Sequence, residues 1–128
     1  MSYYFARKVD CSFEEAVDRV TDLLASEGFG VLTEIDIAET MKKKLGVDFR
    51  PYRILGACNP DFAHKALLAE DKIGTLLPCN VIIHELSDGA IEVAAVDPAA
   101  SMSAVDNEAL GDIAETVGAS MQRIVASM

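Results

Sequence analysis

The sequence predicts an α+β fold, a mostly antiparallel sheet with helices packed on one face. Three observations lead there. Apolar residues switch repeatedly between alternating and three-to-four spacing along the chain. The order that results is strand, helix, strand, short helix, strand, helix, hairpin, long helix. Setting the extra helices aside as insertions leaves β-α-β-β-β-β-α, an order that forms one sheet covered by two helices.

Each element has its own signal. Tyr3 to Lys8 is a short strand. Ser12 followed by Glu15 is a capping box, and Phe13, Ala16, Val17, Val20, Leu23 and Leu24 recur at helical spacing until Gly28 ends the helix. Phe29 to Ile37 alternates as a strand, with Val31, Thr33 and Ile35 assigned to one face. Ala38 to Leu45 forms a short helix closed by Gly46, Pro51 breaks the chain, and Arg53 to Ala57 is a strand. Asn59-Pro60 supplies the N-cap and first residue of a helix reaching about Glu70. Ile73 to Leu77 is an apolar connector closed by Pro78. Asn80 to Leu86 and Ala90 to Val96 pair through the Ser87-Asp88-Gly89 turn. Pro98 to Val105 reads as a loop. The last helix runs from about Asn107 to the end, with Leu110, Ile113, Ala114, Val117, Met121 and Ile124 on one face.

The chain of 128 residues fits a single domain, residues 1–128, able to bury a core without staples. No apolar run approaches the roughly 20 residues that span a bilayer. The N-terminal residues lack the pattern of a signal peptide, so the expected location is the cytoplasm. A formal net charge of −10 sets the surface against nucleic acids and anionic membranes. Five of the eleven cations nevertheless fall between Lys42 and Arg53, either as a solvated helix face and loop or as a small anion-binding patch. The strands Ile54-Leu55-Gly56-Ala57 and Val81-Ile82-Ile83 are apolar on both faces, which a sheet covered on one side should not be. Inserted helices, the 73–77 connector or a second subunit would cover the other face, and a homodimer is expected.

The most distinctive stretch is Tyr52-Arg53-Ile54-Leu55-Gly56-Ala57-Cys58-Asn59-Pro60, echoed by Leu77-Pro78-Cys79-Asn80. With Gly28 to Asp36, Lys44-Leu45-Gly46-Val47 and Val96-Asp97-Pro98, it resembles the prokaryotic family called domain of unknown function 302 over nearly the whole chain. The resemblance implies a fold similar to that of the TATA-binding protein, a curved antiparallel sheet with a β-α-β4-α core. It implies no activity and no DNA binding, because a fold does not fix a function.

The chemistry the residues could support centres on Cys58, Asn59, Cys79 and Asn80. Cys58 precedes a helix N-terminus, where free N–H groups favour a thiolate. If the strands carrying Cys58 and Cys79 are adjacent, the two thiols could form a reversible disulfide or bind a soft metal. Otherwise they are two small core residues. Neither lies in a Cys-x-x-Cys, so they are weak metal candidates. Cys79 and His84 fall on opposite faces of one strand, which argues against a catalytic pair. Asp36 and Asp97 end strands and could cap or bind. No phosphate-binding, dinucleotide or hydrolase motif is present, and no cofactor is indicated. Two readings remain: a non-catalytic ligand-binding or sensor module with a small-molecule cleft near Cys58 and Cys79, or a thiol-based redox or soft-metal protein.

Overall fold

A computed structural model describes residues 2–128. Strand β1 (Tyr4–Val9) leads into helix α1 (Phe13–Ser26). The Ser12 hydroxyl caps that helix, accepting from the Glu15 backbone N–H at 3.2 Å. At its other end Gly28 takes a φ of +84°, and Phe29 N–H reaches back to the Leu24 carbonyl at 2.8 Å. This left-handed closure is one that glycine adopts freely.

Strand β2 (Gly30–Asp36) runs directly into helix α2 (Ile37–Leu45), and β3 (Tyr52–Cys58) into helix α3 (Pro60–Ala69). The 73–77 connector is a 3-10 turn over Ile73–Leu76, followed by a cis Leu77-Pro78 bond. Strands β4 (Cys79–Glu85) and β5 (Ile91–Val96) form the expected hairpin. The segment after Val96, expected as a loop, begins instead with one helical turn, α4 (Pro98–Ser101). Asp97 starts it by accepting from the Ala99 N–H, and Pro98 supplies a fixed φ at the first position. Helix α5 (Glu108–Ala126) ends the chain.

The five strands form one sheet in the order β1-β5-β4-β3-β2, every neighbouring pair antiparallel. One face is covered by α1 and α5. There Val17, Val20 and Leu24 meet Val117, Met121 and Ile124 over Leu55, Val81, Ile83 and Val93, all buried. A second, smaller cluster joins Ala66, Ile73, Met102, Leu110 and Ala114 beneath α3. The connector therefore turns Ile73 inward, 1% exposed, rather than presenting it to a partner.

The expected alternation of β2 fails at one point. Val31 pairs with Ala57 and Thr33 with Gly56, so Leu32 is an extra residue in a β-bulge. The bulge separates residues that alternation had placed together. Val31 packs against the helix-covered core, whereas Thr33 and Ile35 face the other way, opposite Gly56 and Ile54. That other face carries Tyr4, Tyr52, Ile54, Ile82, His84 and Ala94 by register. Ile54 and Ile82 are half-buried on it, and Ile35 is 44% exposed.

Candidate functional site

The motif that joins β3 to α3 is built by the backbone needs of its own residues. Asn59 leaves the strand in extended conformation, and its Oδ1 accepts from the N–H groups of Asp61 at 3.2 Å and Phe62 at 3.4 Å. Its amide is thus committed to holding the helix start. Across the sheet Ala57 is registered with Cys79, so Cys58 and Cys79 come to the same end of adjacent strands.

A cavity of about 340 Å³ opens at that end. Ala57, Cys79 and Val117 of the sheet-side core line it from one direction, and Ala66, Met102 and Ala114 of the smaller cluster from the other. It is the seam between the two cores. Cys58 and Asn59 lie on its wall, and Leu32, pushed out by the bulge, stands at its border 67% exposed. The lining is almost wholly apolar and contains no charged side chain. Its size falls in the range of small-molecule pockets.

All three cysteines are free thiols. Cys79 is buried, and that burial, together with the neighbouring Cys58, pushes its thiol up to about 11. A thiol of that kind is almost entirely protonated at neutral pH and is a poor nucleophile. Cys58 is half-buried in the same cavity, and Cys11 packs at the edge of the main core. Among the described residues, no three His, Cys, Asp or Glu side chains form a group that could hold a metal ion.

Asn80 separates from the other three sequence-derived site residues. It pairs with Gly56, so its exposed side chain belongs to the opposite sheet face. His64 is exposed on α3. Asp36 and Asp97 are helix caps, accepting from Glu39 N–H at 3.0 Å and Ala99 N–H at 3.1 Å. The cation-rich segment is turned largely onto its own surroundings. Lys42 pairs with Asp48 and Lys43 with Glu39, while Arg53 reaches Glu14, Glu34 and Asp36. Arg50 stacks over Phe49 and Tyr52.

The sheet face opposite α1 and α5 holds a second cavity, of about 390 Å³, that motif reading did not reach. His84 lies against it, 9% exposed, with Nε2 2.8 Å from Glu92 Oε1 and a buried Nδ1 that has no partner among the described residues. Leaving such a group unpaired costs about 1–3 kcal/mol. Tyr52 stands edge-on to the imidazole, ring centroids 5.2 Å apart, and Tyr3, Tyr4 and Asn80 complete the polar lining. The signal for the His84–Glu92 pair was present in the hairpin. Counting back from the Ser87-Asp88-Gly89 turn puts the two residues directly opposite, as observed.

Among the described residues, no helix is long and apolar enough to cross a membrane. A search of curated proteins finds no match to the chain. A crystal structure of an uncharacterized conserved protein DUF302 from Bacillus stearothermophilus is similar to it, with a TM-score of 0.91 and 26% sequence identity over 98% of each chain. The family model described as domain of unknown function DUF302 matches residues 5–128. That match spans both cysteine motifs and the whole sheet except Tyr4 of β1, and the chain belongs to the DUF302 family.

Proposed function

We propose that this chain is a non-catalytic binding module that holds a small apolar molecule in the cavity beside Cys58 and Cys79. The observation that carries the reading is the cavity itself, an apolar volume of about 340 Å³ at the seam of two cores. A site of this composition rewards apolar area and gives a charged ligand no counter-ion. The absence of charged side chains from its lining argues against phosphorylated or carboxylated ligands. The protonated, buried state of Cys79 argues for a wall rather than a nucleophile.

Fluorescence titration with N-phenyl-1-naphthylamine tests the reading. Saturable enhancement is expected for the native chain. Ala66→Phe, which fills the cavity from α3, should weaken it about tenfold or more, the loss of roughly 1.4 kcal/mol. Unchanged affinity in a folded Ala66→Phe variant would remove the proposal.

A second reading, thiol redox or soft-metal binding through Cys58 and Cys79, is favoured by one observation, that both residues line the same cavity. Native mass spectrometry with silver(I) on Cys11→Ser protein distinguishes it. One retained ion, lost in Cys58→Ser, supports the soft-metal form and no retained ion eliminates it, while failure of mild oxidation to remove two hydrogens from the intact mass eliminates the redox form.

A further inference from the structure

From the sheet face opposite α1 and α5 we infer that the chain has a second, separate binding site, for a small, flat, neutral ligand that donates an N–H hydrogen bond. The site is the cavity of about 390 Å³ over β1, β5, β4 and the start of β3. Its floor is apolar, made by Ile82, Ala94 and Val96, and Tyr3, Tyr4 and Tyr52 line it with aromatic rings. Such walls suit a planar ring. The polarity of the site is set by Glu92. His84 Nε2 holds Oε1 at 2.8 Å and so fixes the carboxylate, leaving Oε2 to accept from a ligand. An ionised carboxylate accepts and cannot donate, so the complementary group is a donor.

The surrounding charges decide the ligand's own charge. Within the lining Glu92 is the one carboxylate, and it disfavours an anion. Lys8 is its cross-strand neighbour on β1, and the Arg50 guanidinium lies 5.4 Å from the centre of the Tyr52 ring. These two cations flank the cavity and offset any preference for an organic cation. A neutral donor is what remains. The Nδ1 of His84, buried and without a partner among the described residues, is the second observation pointing to this place. A buried polar group without a protein partner calls for an explanation, and the cavity at the apolar seam has no part in this one.

Chemical-shift titration with benzimidazole, neutral and N–H donating near neutral pH, tests the inference, with 1-methylbenzimidazole as the probe that lacks the donor. Benzimidazole is expected to shift the amides of 80–85 and 91–96 saturably. The methylated probe should bind about tenfold more weakly, the size expected for a lost hydrogen bond to a charged acceptor. Glu92→Gln should weaken benzimidazole and leave the methylated probe unchanged. Equal binding of the two probes overturns the inference. So does the absence of saturable shifts at millimolar probe, or shifts confined to residues around Cys58. A dimer by light scattering that already protects these amides also overturns it, because a second copy would then occupy the face.

Discussion

Gly56 and Pro78 are packed so closely that a Cβ on Gly56 would come within 2.7 Å of Pro78 Cγ. The same added carbon would also run into the Thr33 side chain, its partner on β2. Gly56 is buried in the middle of β3 with ordinary negative φ, so close approach, not backbone freedom, requires glycine there. Gly56→Ala is expected to destabilise the fold by about 1–3 kcal/mol, the usual cost of overpacking. Thr33→Ala in the same chain should recover part of this loss. Urea denaturation midpoints of the native chain and the two variants check it, and a neutral Gly56→Ala would contradict it.

Cys79 should make the fold weaken in alkali. Its thiol is pushed from 9.0 up to about 11, first by burial and then by Cys58. The neutral form is therefore favoured by the folded state. The contribution is fully present below pH 9, and it is lost as pH rises through 9 towards 11, where the unfolded chain ionises first. Two pH units correspond to about 2–3 kcal/mol. Cys79→Ala should flatten this part of the pH–stability curve relative to the native chain, as read from denaturation midpoints between pH 8 and pH 11.

Arg53 should resist conservative replacement. Its guanidinium, 17% exposed, forks onto both oxygens of Glu14 at 3.2 and 3.3 Å, also approaches Glu34 and Asp36, and lies over the Phe13 ring. Arg53→Met leaves three carboxylates facing one another, and a loss of about 1–3 kcal/mol is expected. Arg53→Lys should recover only part of it, because a single ammonium cannot reproduce the planar fork. Thermal unfolding of both variants at low and high salt measures the difference.

Glu27 and Arg123 predict a smaller effect at acid pH. Arg123 donates to Glu27 Oε1 at 2.6 and 3.1 Å, joining α5 to the end of α1. This hydrogen bond holds the carboxyl below its usual value against a modest opposing effect of burial. The stabilisation is present above the ordinary carboxylate range and is lost as pH falls through the lowered value. Arg123→Gln should lower stability slightly at every pH above about 4.5, pH 9 included, and the two curves should converge as pH falls below 4.5, as followed by circular dichroism.

Duplex DNA is expected not to bind at physiological salt. The net charge is −10, and the cluster from Lys42 to Arg53 spends Lys42, Lys43 and Arg53 on its own carboxylates. Few cations are left to release counter-ions from phosphates. Fluorescence anisotropy with a labelled duplex checks this, and micromolar affinity would refute it.

Local chemistry made most of the fold legible. Ser12, Asn59 and Gly28 mark helix ends because their side chains, or the lack of one, satisfy backbone groups within a few residues. The hairpin was legible for the same reason. The Leu32 bulge was not, since its signal is a mismatch of register between two strands separated in sequence by a helix and a loop. At the candidate site, the approach of Cys58 and Cys79 followed from strand adjacency, but Asn80 follows its strand's alternation to the far face. The cavity between the two cores depends on where α3 and α5 come to rest. No run of residues encodes that void, because it is the remainder of packing between distant segments.

The bulge has a further consequence for how the molecule behaves in company. β2 is one of the two outer strands of the sheet, and its outward edge offers backbone donors and acceptors to any neighbouring chain. A flat, regular edge would be a template for end-to-end polymerisation. Leu32 interrupts that template near its middle, and Glu34 places a charge just beyond. At the opposite margin β1 carries Arg7 and Lys8, both exposed. Both borders are thus guarded against strand addition, and fibril growth along the sheet is discouraged.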